Sequence, residues 1–373
     1  MAAVERVLIV GGGIAGLSLA IALRDKGIAA DVVELASRVV GVGITFTGSA
    51  LRALNSIKLA QSCVDNGFSI NFFQVNDAAG KRQASNPLPA VAGPGFPAAV
   101  GMQRPVFADL LTRTAKARGA TIRHGLTVDR LEQDTAEVHV HLTDGSTGHY
   151  DLVVGADGIY SSIRSMVFGD SHRPCYAGSG VWRFMTERHP TVDQLDFYVA
   201  PKIKAGFIPL SDKLMYMLST LHFPINPRMD ESKSHELYSE VLKEFTAPVV
   251  VDVRARMRSP ESVIWRPFET LLLPSWHRGR VILIGDAAHS MTPHLSAGGG
   301  VAIEDAVVLA DNLQEDAPIE VVLDRFMERR FERVRSICDT SLQICKLEQA
   351  ENPDIAEIYK LTMRGYAVIG EAF

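Results

Sequence analysis

Short apolar runs that end at a glycine recur along the chain, and longer segments of helical character follow them. Residues 6–10 (Arg-Val-Leu-Ile-Val) and 281–284 (Val-Ile-Leu-Ile) are nearly continuous apolar runs, which is typical of parallel strands buried on both faces. Residues 14–26 and 301–313 are the helical segments that come next, and residues 31–34 form another strand-like run. This order of strand, turn and helix predicts an α/β fold with a Rossmann-like parallel sheet.

The middle of the chain has a different pattern. Residues 71–97 contain several prolines and predict a loop-rich stretch. Strand-like segments at 195–199, 205–210 and 213–220 follow, and a helix is expected near 232–245. These segments predict a second, smaller domain that contains a sheet and is inserted into the first.

We therefore expect three parts. The first domain is discontinuous and comprises residues 1–70, 98–174 and 266–318, the second comprises 71–97 and 176–265, and the third is a helical segment at 319–373. The long helix expected at 319–348 carries a face of mixed charge, which is typically solvated rather than ligand-binding. That charged face consists of Glu328, Arg329, Arg330, Glu332 and Arg333.

A glycine-rich turn joins the first strand to the first helix. Gly11, Gly13 and Gly16 complete the pattern G-x-G-x-x-G, in which the glycines allow a tight turn, a close approach of a pyrophosphate, and close packing of helix on strand. Glu34 ends the next strand about 20 residues later, where a carboxylate binds a ribose hydroxyl. The core of a signal peptide and a membrane span are the alternatives. The uncharged run is shorter than the ~20 residues that a span needs and is interrupted by three glycines, and Glu5 does not suit the basic start of a signal peptide. We therefore predict a dinucleotide site.

A further strand end carries an acidic residue. Asp286 follows the apolar run at 281–284, at the carboxyl end where open α/β sheets bind ligands. Three glycines, Gly298, Gly299 and Gly300, open the helix after it, so unpaired backbone N–H groups face whatever binds there. Taken singly, Asp286 could be a helix cap, and Asp157-Gly158 could be an ordinary turn.

Together these segments resemble a known family. Residues 285–289 (Gly-Asp-Ala-Ala-His), Pro293, the three glycines and residues 304–306 (Glu-Asp-Ala) resemble the second FAD motif of the p-hydroxybenzoate-hydroxylase-like flavoprotein monooxygenases. Residues 155–164 (Gly-Ala-Asp-Gly-Ile-Tyr-Ser-Ser-Ile-Arg) resemble that family's middle motif. The motifs stand in the family's order, so the resemblance covers essentially the whole chain. One departure is Ser296-Ala297-Gly298, where many relatives have Gly-Gln-Gly.

The resemblance implies an FAD-binding domain of the glutathione-reductase type and assigns roles by position. The glycines at 11, 13 and 16 would hold the pyrophosphate, Glu34 the adenosine ribose, and Arg104 the ribityl–phosphate region. Asp286 would bind a ribityl hydroxyl, and Asp157 would serve both FAD and NAD(P)H. The implied cofactor-binding positions are Gly11, Gly13, Ile14, Ala15, Gly16, Glu34, Gly43, Ile44, Arg104, Val128, Asp157, Asp286, Pro293, Gly298, Gly299 and Gly300.

The substrate residues are less clearly marked. Tyr216 stands on a strand that resembles the family's substrate-facing strand, and its hydroxyl could orient or help to deprotonate a ring hydroxyl. Arg183 could bind a substrate carboxylate through two hydrogen bonds or could equally be the partner in a surface ion pair. Phe46 could line the cavity. Pro293 and His294 lie near the expected flavin ring and are candidate catalytic residues, although a histidine in such a position is more often structural than a base. Taken singly, each aromatic residue between 182 and 223 is better explained as part of the core of the second domain.

The resemblance implies a single-component aromatic hydroxylase. NAD(P)H would dock transiently and reduce a non-covalent FAD, O2 would form a C4a-hydroperoxide, and a small aromatic or heteroaromatic substrate would receive one oxygen atom. No histidine lies between residues 44 and 52 to attach a flavin covalently. The alternatives are an oxidase or reductase of the same fold, or a non-catalytic FAD-binding protein.

The composition of the chain bears on nucleic-acid binding, disulfide bonds and metal sites. The 373 residues are 47% hydrophobic and carry a net charge of -5 without a Lys/Arg tract, which argues against nucleic-acid binding. The four cysteines are scattered, and the histidines form no ligand motif, so we expect reduced thiols and no metal site. We also expect no membrane span, a cytoplasmic location and a possible homodimer.

Overall fold

The computed structural model describes residues 4–37, 41–201 and 203–373. The strands are β1 (Arg6–Val10), β2 (Ala29–Glu34), β3 (Gly43–Thr47), β4 (Phe68–Ile70), β5 (Phe72–Asp77), β6 (Arg82–Pro87), β7 (Ala99–Gln103), β8 (Thr121–His124), β9 (Val128–Gln133), β10 (Val138–Leu142), β11 (Thr147–Tyr150), β12 (Leu152–Gly155), β13 (Cys175–Glu187), β14 (Leu195–Val199), β15 (Lys204–Pro209), β16 (Leu214–His222), β17 (Val263–Thr270), β18 (His277–Arg278) and β19 (Val281–Leu283). The helices are α1 (Ile14–Asp25), α2 (Gly48–Ser56), α3 (Ala60–Asn66), α4 (Arg104–Ala117), α5 (Ser162–Phe168), α6 (Ser234–Val241), α7 (Pro248–Ala255), α8 (Gly298–Asn312), α9 (Ile319–Glu348) and α10 (Ile355–Gly370).

A six-stranded sheet forms the centre of the first domain. Its order is β18-β19-β12-β1-β2-β8, and the strands from β19 to β8 run parallel. Its central strand β1 is apolar and buried from Val7 to Val10, as expected of a parallel strand that is covered on both faces in an α/β fold. The α/β fold expected from the apolar runs is therefore confirmed.

A seven-stranded sheet, in the order β17-β13-β16-β15-β14-β5-β6, forms the second domain. The long strands β13 and β16 pair antiparallel over nine residues at its centre. The stretch expected to be loop-rich contributes the hairpin β5–β6 to this sheet. The boundary expected between residues 265 and 266 falls inside β17, so that strand belongs wholly to the second sheet.

The two faces of this sheet have different environments. Trp182, Phe207 and Met217 are buried on the face that packs against α6 and α7. Arg183 and Tyr216 point to the opposite face, which lies against the first domain through Val42, Ile208 and other apolar groups. Trp182 and Arg183 are adjacent in sequence but lie on opposite faces of the sheet, because successive side chains alternate across a strand.

The helix α9 runs for 30 residues and α10 returns along it. The expectation that 319–373 is helical is confirmed, but the charged face of α9 is only partly solvated. Arg330 is completely buried and the Arg333 side chain is 9% exposed, which corrects the sequence interpretation. Both arginines bind carboxylates of α8, and those partners offset the cost of burying a charge.

Candidate active site

Four neighbouring strands end at the same edge of the central sheet and bring the motifs together. In sheet order these strands are β19, β12, β1 and β2. Asp286 follows the first, Asp157 the second and Gly11 the third, while Glu34 ends the fourth. The backbone connects them laterally, because Ala156 N donates to Val10 O at 2.7 Å and Ile284 N donates to Gly155 O at 3.0 Å. Gly11 and Asp286, which are 275 positions apart in the sequence, thus line one groove.

The glycines of the groove are required by close backbone contacts. Gly11 has φ +114°, and a Cβ there would collide with Ala156 O. A Cβ on Gly285, which has φ +59°, would lie 3.1 Å from the Ala15 methyl carbon. Gly13 differs, since nothing lies within 4 Å of its Cβ position. Gly11 and Gly285 therefore allow strands and helices to pack closely, whereas Gly13 leaves open space at the start of α1.

Glu34 closes the glycine-rich turn on one side. Its Oε2 accepts a 2.6 Å hydrogen bond from Gly12 N, and its Oε1 accepts one of 2.7 Å from Ala36 N. These bonds fix the carboxylate at the end of β2 beside α1. Each carboxylate oxygen can still accept a further donor.

The two carboxylate oxygens of Asp157 have different roles. Its Oδ2 accepts hydrogen bonds from Ser162 N, Ser162 Oγ and Ile163 N, so this oxygen stabilises the start of α5. Its Oδ1 is buried without a hydrogen-bond partner among the described residues. A buried carboxylate oxygen without a donor is costly, and it is available to a ligand in the groove.

Asp286 has no hydrogen-bond or ion-pair partner among the residues that the structure describes. Surrounding protein reduces the hydration of its carboxylate and raises its pKa, while His289 and Arg104 act in the opposite direction. Arg104 opens α4, and its side chain packs beside Gly41. The groove therefore presents an acceptor, Asp286, close to a cation, Arg104.

The start of α8 meets the groove from the other side. No side chain caps this helix, so its first N–H groups are free to bind an anion or a carbonyl oxygen. A Cβ on Gly298 would meet only Met291, at 3.8 Å, whereas one on Gly300 would lie 2.9 Å from Ala50 Cβ. Gly298 thus leaves the helix end open and Gly300 allows α8 to pack on α2.

Ser296 stands just before this helix with φ +50° and ψ 29°. A left-handed backbone favours glycine, and glycine is the residue that many members of the resembled family have there. The departure noted in the sequence therefore introduces local backbone strain. Pro293, three residues earlier, is exposed beside the same turn.

The second sheet faces the groove with Tyr216 and Arg183. The Tyr216 ring lies against Gly43, where a Cβ would approach to 2.6 Å. Burial raises the pKa of the Tyr216 hydroxyl, although Arg183, Thr45 and Arg104 oppose the shift. Tyr216 therefore stays protonated at neutral pH and can donate a hydrogen bond.

Arg183 has neither a hydrogen bond nor a carboxylate partner among the described residues. Burial lowers its pKa, Tyr216 opposes that shift, and the positive charges of Arg104 and Arg266 reinforce it. Arg183 is only partly accessible to solvent. A guanidinium held in this way is suited to bind an anionic group that enters from outside.

His294 lies outside this cluster. Its Nε2 is 3.4 Å from Glu348 Oε2, and Lys204 Nζ binds both oxygens of the same carboxylate. Burial lowers the pKa of His294, and Glu348 opposes the shift. His294 Nδ1 is buried without a partner among the described residues. These contacts connect the turn before α8 with α9 and the second sheet.

Phe46 and Val128, which were assigned to ligand binding from the sequence, are both buried in the core of the first domain. Phe46 is buried in the core of the first domain, with its ring centroid 4.5 Å from that of Phe107. It does not line the substrate side of β3, because Gly43, Thr45 and Thr47 occupy that face. Val128 is also buried in this core, so only its backbone can reach a ligand.

The sequence interpretation missed two buried groups. Arg164 donates to the carbonyl oxygens of Ala287, Ile159 and His172, and so joins α5 to the turn that carries Asp286. His289 Nε2 lies 2.6 Å from Asp305 Oδ2. The signal for the second was the acidic pair at 304–305 inside the apolar helix α8, since buried carboxylates require partners.

Comparisons with known proteins agree with this arrangement. The family model described as "FAD binding domain" matches residues 5–341. The chain belongs to this FAD-binding family. Members similar to it include the putative FAD-dependent monooxygenase YetM of Bacillus subtilis, which is 30% identical over 97% of this chain and 100% of the relative. The 2-heptyl-3-hydroxy-4(1H)-quinolone synthase of Pseudomonas aeruginosa is 33% identical over 93% of this chain and 90% of its own.

A solved structure extends the similarity to the fold. Klebsiella pneumoniae HpxO complexed with FAD and uric acid superimposes with a TM-score of 0.84 at 25% identity, and the match covers 99% of this chain and 93% of that one. Membership of the family confirms the resemblance inferred from the motifs, and it makes this chain an FAD-dependent monooxygenase in class.

The groove fits an FAD. Asp157 Oδ1 and the Asp286 carboxylate lack partners among the described residues, and the starts of α1 and α8 lack side-chain caps. Gly13 and Gly298 leave space beside these helix ends. Within the described ranges no group of three His, Cys, Asp or Glu side chains is placed to hold a metal. Across the same ranges no helix has the length and apolarity required to cross a membrane.

Proposed function

We propose that the chain is a single-component flavoprotein monooxygenase that hydroxylates a small aromatic or heteroaromatic substrate with NAD(P)H and O2. The observation that carries the proposal is the pairing of an open FAD groove with an unpartnered arginine and a buried tyrosine on the facing sheet. Relatives named FAD-dependent urate hydroxylase and 2-heptyl-3-hydroxy-4(1H)-quinolone synthase support it, because both names contain heteroaromatic compounds.

The residues of the groove would hold FAD non-covalently. Gly13 and the first N–H groups of α1 would bind the pyrophosphate, and Glu34 the adenosine ribose. Arg104 and Asp286 would bind the ribityl region. The N-terminus of α8 would stabilise negative charge on the pyrimidine edge of the ring. Bound FAD supplies the reduction by NAD(P)H and the activation of O2, and the protein supplies position and electrostatics.

The substrate would lie between the groove and the flavin-facing side of the second sheet. Tyr216 would donate a hydrogen bond from its protonated Oη to a ring oxygen. Arg183 would bind an anionic substituent, such as a carboxylate or an enolate oxygen, through its guanidinium. These two contacts would orient the ring and exclude water from its face. The reaction would then take place where the second domain faces the FAD groove of the first domain.

A screen of the purified holoprotein tests the reaction class. Aromatic acids and heteroaromatic compounds are added singly with NADH or NADPH, and nicotinamide oxidation, O2 uptake, peroxide and product mass are measured. The proposal expects at least one compound to stimulate oxidation and to gain one oxygen atom. Stimulated oxidation that yields only peroxide, or reduction without O2 uptake, would favour an oxidase or a reductase.

A variant tests the role of Arg183. Arg183→Met keeps the length of the side chain and removes its charge. KM for an acidic substrate should rise by roughly ten- to a hundredfold, as expected for a lost charge-assisted hydrogen bond of about 1.5–3 kcal/mol. Arg188→Met is a matched control, because Arg188 lies just beyond the end of β13, donates to the carbonyl oxygens of Asp212 and Val192, and packs over the Phe68 ring.

Two expectations about the cellular protein complete the proposal. We propose a homodimer in solution, and light scattering of the holoprotein would test it against monomer and tetramer. We propose a cytoplasmic location, which fractionation of the producing cells would test.

A further inference from the structure

A small, partly open cavity lies beside β3, next to the proposed substrate position. Its volume is about 30 Å³, and no charged residue lines it. Leu88, Pro89, Val91 and Leu195 form one side, and Tyr366 and Ile369 of α10 form the other. Burial raises the pKa of Tyr366, so this side chain is also neutral. The lining is therefore suited to an uncharged, mainly apolar group.

The cavity is connected to the substrate site through β3. Thr45 lines it, and the same side chain interacts with the Tyr216 hydroxyl. Gly43, two residues earlier on the same face of β3, lies against the Tyr216 ring. Because residues i and i+2 of a strand share a face, one side of β3 runs from the Tyr216 ring to the cavity.

The wall supplied by α10 is fixed in place. Arg333 donates to Val368 O at 2.6 Å and to Ile369 O at 2.9 Å, and it also binds Glu304 of α8. Arg52 donates to Gly370 O at 3.0 Å. These arginines satisfy carbonyl groups that the end of a helix leaves without partners. Ile369 is thereby held at the cavity as a rigid boundary.

We infer that this cavity is a side pocket that receives a short apolar substituent of the aromatic substrate, and that Ile369 sets the length of the substituent. The inference rests on the proposed function, since it assumes that the ring lies beside Tyr216. A volume of about 30 Å³ holds roughly two water-sized groups. The pocket therefore accommodates two or three carbon atoms.

Binding of a homologous series to the holoprotein tests the pocket. The probes are 4(1H)-quinolones that carry hydrogen, methyl, ethyl, propyl or butyl at C2, and the perturbation of flavin absorbance gives each Kd. Affinity should rise by about fourfold for each methylene that enters the pocket and should fall once the chain exceeds its length. Ratios of Kd within one series cancel the contribution of the ring.

Variants at one position locate the boundary. Ile369→Ala removes three carbon atoms and should move the preferred substituent to a longer chain, while Ile369→Phe should abolish the gain from any substituent. Met363→Ala is the control, because Met363 lies on the same helix but is 46% exposed. An identical pattern of Kd ratios in the wild type and both Ile369 variants would overturn the inference.

A second measurement is independent of the substrate. Crystals of the holoprotein under xenon pressure should show xenon between Val91 and Ile369 in the wild type and none in Ile369→Phe. Absence of xenon from the wild-type cavity would overturn the inference. Xenon in the cavity, combined with no flavin perturbation by any quinolone, would support the pocket and would count against the proposed class of substrate.

Discussion

Arg330 Nε donates a 2.9 Å hydrogen bond to Asp305 Oδ1, although neither side chain is exposed to solvent. The other oxygen of Asp305 binds His289 Nε2 at 2.6 Å and Gly285 N at 3.0 Å. Desolvation alone would raise the pKa of Asp305, but His289 and Arg330 outweigh it and lower the pKa. One carboxylate therefore joins α9 to the turn that presents Asp286 to the groove.

The first prediction concerns this buried pair. Arg330→Met should destabilise the protein by about 3–5 kcal/mol, because among the described residues the buried Asp305 then keeps only His289 and Gly285 N as partners and the buried Glu304 keeps only Arg333. Urea unfolding of the FAD-saturated protein measures the loss. Arg335→Met, on the same helix but 51% exposed and paired only with Glu332, should change stability by less than about 1 kcal/mol. Equal effects of the two variants would mean that burial of the pair is unimportant.

The second prediction concerns the free acceptor in the groove. Asp286→Ala should weaken FAD binding by roughly ten- to a hundredfold, because it removes a charge-assisted hydrogen bond of about 1.5–3 kcal/mol. Reconstitution of the apoprotein, followed by flavin fluorescence, gives the Kd. Asp311→Ala, at the far end of α8, should leave the Kd unchanged. An unaltered Kd in Asp286→Ala would reduce Asp286 to a residue of the local turn.

The parts of the fold that were predicted correctly depend on patterns within short segments of the sequence. The strand, glycine turn and helix around Gly11 and the strand end at Asp286 depend on residues that are close together in sequence. Their meeting at one sheet edge then follows from the parallel order of an α/β fold. The long helix α9 was predictable for the same reason, because its periodicity is continuous over 30 residues.

The remaining features depend on pairing between distant segments. Trp182 and Arg183 are neighbours, and only the register of β13 with β16 decides which of them faces the groove. Arg330 lies in a charged stretch and is buried because Glu304, 26 residues earlier, needs a cation. The helix α7 contains Val249, Val250 and Val251 after Pro248, and packing on the second sheet outweighs the strand preference of valine. The orientation of Arg183, the burial of Arg330 and the helical conformation of α7 cannot be predicted from any one short segment of the sequence.

The third prediction concerns pH. Desolvation would raise the pKa of Glu348, but Lys204 and His294 outweigh it and lower the pKa to about 2. A lowered folded-state pKa stabilises the protein above the ordinary value near 4.5, and this contribution is lost as the pH falls towards 2. Because the Lys204 and Glu348 side chains are each about one-quarter exposed, we expect a loss of only about 1–2 kcal/mol.

Comparison of variants isolates this effect. Glu348→Gln should be less stable than the wild type at pH 7 and should converge with it as the pH approaches 2.5. Glu332→Gln serves as the control, since Glu332 is 66% exposed and should follow the wild-type curve. Urea unfolding at pH 7, 5, 4 and 3 provides the data, and parallel curves for wild type and Glu348→Gln would contradict the assignment.

The last prediction distinguishes the two faces of the second sheet. Tyr216→Phe removes the hydroxyl that faces the groove, so hydroxylation should fall and the ratio of peroxide to product should rise. The loss of rate should range from a few-fold, for one positioned hydrogen bond, to roughly 10²–10⁴-fold if the hydroxyl also transfers a proton. The raised pKa of Tyr216 favours the smaller effect, because a protonated hydroxyl donates and does not act as a base at neutral pH. Tyr198→Phe is the matched control, since Tyr198 lies on the other face and its hydroxyl bonds Asp196 at 3.0 Å. That variant should lower the melting temperature and leave coupling intact, so a Tyr216→Phe protein with normal turnover and normal coupling would remove Tyr216 from the substrate site.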